Sequence, residues 1–165
     1  MDEGRQERSD IGWKCANKKE EAMQFQPYLI FNGRAEEAIE FHVRALGAKL
    51  TMMLRFSESP EPHPPGTMPE GWGHKIMHAN FHIGDTQIMA SDGCSERPST
   101  FQGFSLFLAA ESEAEADRYF NALADGGKVQ MPLNKTFWAP RSDTVTDRFG
   151  VSWTVDIFDE RPKSK

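Results

Sequence analysis

The chain has 165 residues, a formal net charge of −6 and 38% hydrophobic residues, which suits one domain or two small halves that share a core. The acidic balance excludes a general nucleic-acid binder, because phosphate contacts need a basic face. The chain has no run of about 18 apolar residues, which excludes a membrane-spanning helix. Cys15 and Cys94 form no metal or redox motif. We therefore expect a cytoplasmic protein without nucleic-acid or membrane partners.

The two ends of the chain differ in composition from its middle. Residues 1–23 mix charges of both signs without apolar spacing, and they lack the apolar stretch of a secretory signal, which predicts a disordered extension. Translation starts at Met1 or at Met23, and the sequence does not choose between them. A single domain is predicted over residues 24–158, followed by a polar tail at 159–165.

The first half of the domain predicts one strand, one helix and three further strands. These are a strand at 26–31, a helix at 35–46 that ends at Gly47, and strands at 48–56, 75–83 and 86–91. The segment 57–73 holds five of the ten prolines and is predicted to be a long loop. Gly84 and Asp85 fit the turn of a hairpin between the last two strands.

The second half repeats this order of elements. A strand is predicted at 103–108, a helix from a capping box at Ser112–Glu115 to about Asp125, and strands at 128–137, 142–145 and 151–157. The repeat predicts an α+β fold of two βαβββ modules, at about 24–92 and 103–158. Each module would bury its helix against one sheet face, and the free faces of a curved mixed sheet would line a central cleft.

Alternation along the third strand indicates which side chains face that cleft. Met77, Ala79, Phe81 and Ile83 are apolar and should lie under the helix, whereas Ile76, His78, Asn80 and His82 should face the cleft. The alternative is that the polar members of the second set face solvent. Two histidines four residues apart on a strand lie about 13 Å apart, too far to bind one ion together.

Several other residues are candidates for the wall of the cleft. Met89 lies on the fourth strand, and Trp153 on the last strand either packs under the helix or contacts a ligand. Phe137 and Trp138 place two large rings together, which is typical of a core or of a binding wall. Asp92 and Asp147 lie beside glycines in turns, where aspartate usually orders the turn.

Short motifs recur through the domain in a fixed order. They are Pro27-Tyr28-Leu29, Phe31-Asn32-Gly33, Leu46-Gly47-Ala48, His78-Ala79-Asn80, Ile88-Met89, Ser91-Asp92, Gly103-Phe104, Thr136-Phe137-Trp138-Ala139 and Val145–Val151 with Trp153. Taken together, these motifs resemble the PhnB-like group of the vicinal oxygen chelate superfamily, which includes glyoxalase I, bleomycin-resistance proteins and extradiol dioxygenases. The resemblance covers about Phe25 to Phe158 and implies paired βαβββ modules, a homodimer and a cleft formed by curved sheet.

The resemblance implies a divalent metal that chelates two substrate oxygens, but this sequence departs from the ligand pattern. The usual first-strand histidine falls at Pro27, next to Gln26, and the usual terminal glutamate falls at Thr154. His78 is then the one credible ligand in the cleft, so the pattern does not support a tight three-ligand site. Members of the group are often labelled as demethylubiquinone methyltransferases, yet the sequence lacks the glycine-rich strand–helix turn that a methyl-donor site needs.

Two hypotheses of function follow from these observations. The first is a protein that binds an unidentified small molecule in its cleft without a tight metal site or other evident cofactor. Its site would use His78, as a hydrogen-bonding or catalytic group, together with Asn80, His82, Met89, Phe137, Trp138 and Trp153. The second is a lyase, isomerase or dioxygenase of the glyoxalase type, metal-dependent, with His78 as general base or ligand.

Overall fold

A computed structural model describes residues 25–134 and 142–157, except for the side chains of 131–134 and Ser142. The predicted extension at 1–23, the polar tail at 159–165 and the pair Phe137 and Trp138 lie outside the described residues. None of the described helices is long and apolar enough to cross a bilayer. Because residues 24 and 158 lie outside the described residues, the domain limits at these positions stay a prediction.

The first module contains one helix and four strands. They are β1 (Tyr28–Ile30), α1 (Ala35–Leu46), β2 (Lys49–Arg55), β3 (Ile76–Ile83) and β4 (Thr86–Ser91). The strands form a sheet in the order β1-β4-β3-β2, in which β1 is parallel to β4 and the other neighbours are antiparallel. The proline-rich loop between β2 and β3 contains two short 3-10 helices, at Phe56–Glu58 and Trp72–His74.

The second module has the same topology. Its elements are β5 (Leu106–Ala110), α2 (Glu113–Ala124), β6 (Lys128–Asn134), β7 (Ser142–Thr146) and β8 (Ser152–Ile157), with strand order β5-β8-β7-β6. This arrangement confirms the α+β fold of two βαβββ modules. The described strands form two separate four-stranded sheets, whereas the sequence predicted one curved sheet.

The ends of the helices follow local signals in the sequence. Helix α1 ends at Gly47, which adopts the left-handed conformation and donates its N–H to the carbonyl of Val43. Helix α2 begins after Ser112, whose Oγ accepts from the N–H of Glu115 at 3.2 Å. Only the first of the two hydrogen bonds of the predicted capping box forms. The Glu115 carboxylate accepts from the N–H of Glu111 and not from that of Ser112.

One hydrophobic core joins the two modules. Each helix packs on its own sheet, and α1 and α2 also contact each other. His42 of α1 is fully buried, and its Nε2 lies 2.9 Å from Oδ2 of Asp147 in the β7–β8 turn. Since each helix packs on one face of its own sheet, the side chains that alternate with the buried ones lie on the opposite face of that sheet.

Candidate functional site

The open face of the first sheet gathers most of the polar side chains that the sequence placed in the cleft. Ala79 and Phe81 of β3 are fully buried under α1, so the residues that alternate with them point away from the helix. Strand register places Tyr28 beside Met89 and Met89 beside Asn80. We call this surface the first face, and it comprises Tyr28, His78, Asn80, His82, Gln87 and Met89.

Tyr28 and Gln87 are the members of the first face that the sequence did not single out, and Tyr28 contacts a predicted site residue. Its hydroxyl lies 3.1 Å from Nδ1 of His78, and the two rings meet edge to face with centroids 5.5 Å apart. The available signal was its alternation with the buried Leu29 on β1. The hydrogen bond orients the imidazole and leaves Nε2 of His78 for another partner.

Asn80 lies at the centre of the first face, between Met52 of β2 and Met89 of β4. Its Oδ1 is shielded from solvent and has no hydrogen-bond partner. A buried acceptor without a partner is costly, and most such atoms in proteins are satisfied. The atom therefore marks a place where a donor from a bound molecule or from ordered water would be stabilised.

Ile76 does not face the cleft as expected, and Trp153 takes the first of the two positions that the sequence left open. Ile76 is fully buried in the core and does not face the cleft, because a register irregularity near Met77 changes the alternation at the start of β3. Trp153 is 2% exposed, and its indole N–H donates to Oδ2 of Asp147 at 2.9 Å. The structure thus places Trp153 in the core and not on the first face.

The open face of the second sheet carries mainly hydroxyl groups and one carboxylate. We call it the second face; it comprises Ser105, Phe107, Thr144, Ser152, Thr154 and Asp156. Thr154, at the position where the superfamily resemblance implies glutamate, exchanges a hydrogen bond with Ser105 at 2.9 Å. Phe107 is 60% exposed, so the polar surface borders a large uncovered ring.

The donor set does not fit a three-ligand metal site within the described part of the chain. No group of three or more histidine, cysteine, aspartate or glutamate side chains there could hold an ion. His78 already uses Nδ1 in its hydrogen bond to Tyr28, and the hydroxyl of Thr154 is a weak ligand compared with a carboxylate. We therefore derive no chemical step through a metal.

The carboxyl with the most perturbed pKa lies away from both faces. Asp143 of β7 is 1% exposed, and burial raises its pKa to about 6, against the opposing effect of a hydrogen bond from the Thr144 N–H. At the surface, the hydrogen-bonded guanidinium of Arg55 lowers the pKa of the Glu36 carboxyl. Neither carboxyl belongs to the first face.

Comparison with known proteins agrees with the two-module architecture. Residues 23–156 match the family described as 3-demethylubiquinone-9 3-methyltransferase. Protein YjdN of Escherichia coli strain K12 is 35% identical over 145 residues, which are 85% of this chain and 99% of that protein. The crystal structure of protein PA1353 from Pseudomonas aeruginosa is 45% identical, with a TM-score of 0.70, over 82% of this chain and 98% of that one.

Two further structures place the fold in a wider group. A PhnB protein from Bacillus cereus is 25% identical with a TM-score of 0.69, over 82% of this chain and 100% of that one. A member of the glyoxalase/bleomycin resistance protein/dioxygenase superfamily from Sphaerobacter thermophilus shares the fold at 16% identity and a TM-score of 0.51, over 82% of this chain and 98% of that one. The chain therefore belongs to the family described as 3-demethylubiquinone-9 3-methyltransferase, the PhnB-like group.

Proposed function

We propose that this protein binds a small organic molecule on the first face. The observation that carries the proposal is the unpaired, shielded Oδ1 of Asn80 beside the hydrogen-bonded pair of Tyr28 and His78. An amide oxygen, an imidazole nitrogen and a phenol ring next to one another can orient a ligand by hydrogen bonds and by stacking. Met52 and Met89 flank Asn80, and their polarisable thioethers adapt to ligands of different shapes.

The second candidate is an enzyme in which His78 removes a proton from the bound molecule. His78 Nε2 acts as a base only if Nδ1 carries the proton and donates it to the oxygen of Tyr28. If the Tyr28 hydroxyl is the donor, Nε2 carries the proton and serves as a hydrogen-bond donor in binding. The tautomer of His78 therefore separates the two candidates, and nitrogen NMR of the labelled imidazole measures it.

We further propose that the site is completed in a homodimer. Tyr28 and Ile30 of β1, Met52 of β2 and Phe107 of β5 are large apolar side chains that remain exposed on the two sheets. Uncovered apolar patches on a folded chain mark interaction surfaces. A partner's second face packed near the first face would enclose a ligand between them.

The exposed free thiol of Cys94 supports a reducing compartment such as the cytoplasm.

A thermal-shift screen of small aromatic, cationic and oxygen-rich molecules tests the binding proposal, because a ligand that binds only the folded chain raises its Tm. A sulfonium methyl donor belongs in the screen, since the family's description names methyl transfer. We expect the Tm rise caused by a hit to be lost in Asn80→Ala and His78→Ala. His74→Ala is the matched control, because His74 is an exposed histidine whose ring Nδ1 bonds to the carbonyl of Gly71 and which lies outside the first face.

Two results would overturn the proposal. One is a confirmed ligand whose binding is unchanged in both Asn80→Ala and His78→Ala. The other is a ligand that His74→Ala weakens as strongly as they do, because that effect would not arise on the first face. Full turnover of a discovered substrate by His78→Ala would contradict the enzyme candidate alone.

A further inference from the structure

A cavity of about 450 Å³ opens where the two modules meet. It is formed by the β1–α1 turn, the loop that joins the modules and the β7–β8 turn, and no residue of the first face lines it. The residues that line it include Phe31, Arg34, Glu96, Ser99, Arg148 and Phe149. Its volume lies in the range of small-molecule sites.

Two arginines from different modules line this cavity, and the guanidinium group of each is held against an aromatic ring. Arg34 precedes α1, and its Cζ lies 4.5 Å from the centre of the Phe149 ring. Arg148 lies in the β7–β8 turn, and its Cζ lies 5.0 Å from the centre of the Phe41 ring. Stacking of this kind restricts the orientation of a guanidinium and so lowers the entropy cost of binding an anion.

Each of these arginines keeps one nitrogen that bonds to no described residue. Arg34 donates to Glu37 through Nε and Nη2, and Arg148 donates to Asp125 through the same two atoms. In both side chains Nη1 is left over. Ser99 also lines the cavity, and its Oγ has no hydrogen-bond partner. Two guanidinium nitrogens and one hydroxyl of the lining residues are therefore without a partner among the described residues.

The acidic partners of the two arginines do not close the site. Glu37 and Asp125 are 63% and 76% exposed, and ion pairs at such exposed positions contribute little free energy. Glu96 also lines the cavity and its charge opposes an anion, but the two arginines leave the lining with an excess of positive charge. At the N-terminus of α1, the N–H of Ala35 is not available to an anion, because it already donates to the Asp92 carboxylate.

We propose that this cavity binds the oxyanion of a small molecule, a carboxylate or a phosphate. The oxygens would accept hydrogen bonds from Nη1 of Arg34, Nη1 of Arg148 and the hydroxyl of Ser99. Charge-assisted bonds from two guanidiniums select an oxyanion over a neutral group. The proposal does not rest on the function proposed for the first face.

Titration of the isotope-labelled full-length protein with sodium benzoate and with sodium phosphate, followed by amide NMR, tests this site and separates the two sources of the oxyanion. We expect one or both anions to shift the signals of Phe31, Ser99 and Gly150. Arg34→Gln and Arg148→Gln should each weaken binding about tenfold, the effect of losing one charged hydrogen bond. Ser99→Ala should weaken it less, and Arg34→Lys should fail to restore binding fully because lysine lacks the planar fork.

Arg118→Gln is the matched control. Arg118 also pairs with a glutamate three residues away, Glu115, and stacks on the Tyr119 ring at 4.9 Å, but it lies outside the cavity. Equal weakening in Arg118→Gln, signal shifts confined to other regions, or no response to either anion at millimolar concentration would each overturn the proposal. A thermal melt of every variant distinguishes loss of the site from loss of the fold, and Ser99→Ala keeps the test decisive if an arginine variant unfolds.

Discussion

Each oxygen of the buried Asp147 carboxylate accepts two hydrogen bonds. Oδ1 accepts from the N–H groups of Phe149 and Val151, and Oδ2 accepts from His42 and from the indole of Trp153. Replacing one oxygen with an amide turns an acceptor into a donor that faces donors. We expect Asp147→Asn to lower the free energy of unfolding by about 3 kcal/mol, as measured by urea denaturation.

Asp85→Asn is the control for that change. Asp85 is an exposed residue in the β3–β4 turn, the counterpart in the first module of the turn that holds Asp147. The same substitution there should change the stability by less than about 0.5 kcal/mol. Similar losses in the two variants would show that turn propensity, and not the buried network, accounts for the effect.

Asp143 makes the stability depend on pH. Its pKa is about 6 in the folded chain against an ordinary value of 3.8, because the carboxyl is buried. Between pH 3.8 and about pH 6, the Asp143 carboxyl is therefore mostly protonated in the folded state and mostly ionised in the unfolded state. This group stabilises the fold fully at pH values below 3.8, and its contribution is lost as pH rises to about 6.

We expect Asp143→Asn to remove this dependence, because the amide cannot ionise. The variant should exceed the parent in free energy of unfolding by about 2 kcal/mol near pH 8 and by much less near pH 4. Urea denaturation at both pH values measures the difference. Asp156→Asn is the control, since Asp156 also accepts from the next N–H but lies on the second face; an equal gain there would contradict the assignment to Asp143.

The side chains themselves were predictable only in part. The sequence predicted the helix that carries His42, and the glycines around Asp147 indicated a turn residue. That the two meet was not predictable, because they are 105 residues apart and the contact depends on how the modules pack. The same applies to Tyr28 and His78, which come together only once β4 lies between their strands.

At the scale of elements, the two helix–strand junctions look alike in sequence but differ in space. Gly47 ends α1 in a left-handed conformation, and no atom lies within 4 Å of the place where a Cβ would be. Gly127, which follows α2, is crowded by backbone: a Cβ there would lie 2.4 Å from the carbonyl oxygen of Thr146. The second junction therefore has no room for a side chain.

We expect Gly127→Ala to destabilise the chain more than Gly47→Ala. The Gly47 variant should lose about 1 kcal/mol, the cost of a left-handed alanine. The Gly127 variant should lose at least about 2 kcal/mol more, because the clash is with main chain that cannot rotate away. Thermal denaturation compares the two, and equal losses would mean that β7 can shift to make room.

The order and type of the elements were predictable because hydrophobic periodicity reports burial directly. The first and last residues of the elements were less predictable. The strand predicted at 103–108 is observed at Leu106–Ala110, since nothing local shows where its pairing with β8 begins. The irregularity near Met77 likewise reverses the expected side of Ile76 and follows from strand pairing with β2, which a single strand cannot show.

For the whole molecule, the packing of each helix on one face of its own sheet determines which surfaces are left for partners. The opposite face of each sheet carries exposed rings, with Phe107 on the edge strand β5 60% exposed and Tyr28 on the edge strand β1 48% exposed. Burial of such rings contributes about 2 kcal/mol each. A second copy of the chain can cover both edges by symmetry, because an isologous interface pairs the same two patches twice.

We therefore expect the protein to sediment as a dimer and Phe107→Asp to shift it towards monomer. A charge at this position would be buried without a partner, so the dimer dissociation constant should rise at least about tenfold. Analytical ultracentrifugation over a range of concentrations measures this constant. Val43→Asp is the control, because Val43 is an exposed apolar residue on α1, away from both sheet faces. A parent protein that stays monomeric at every concentration, or a Val43 variant that dissociates as readily, would show that the exposed sheet faces do not form this interface.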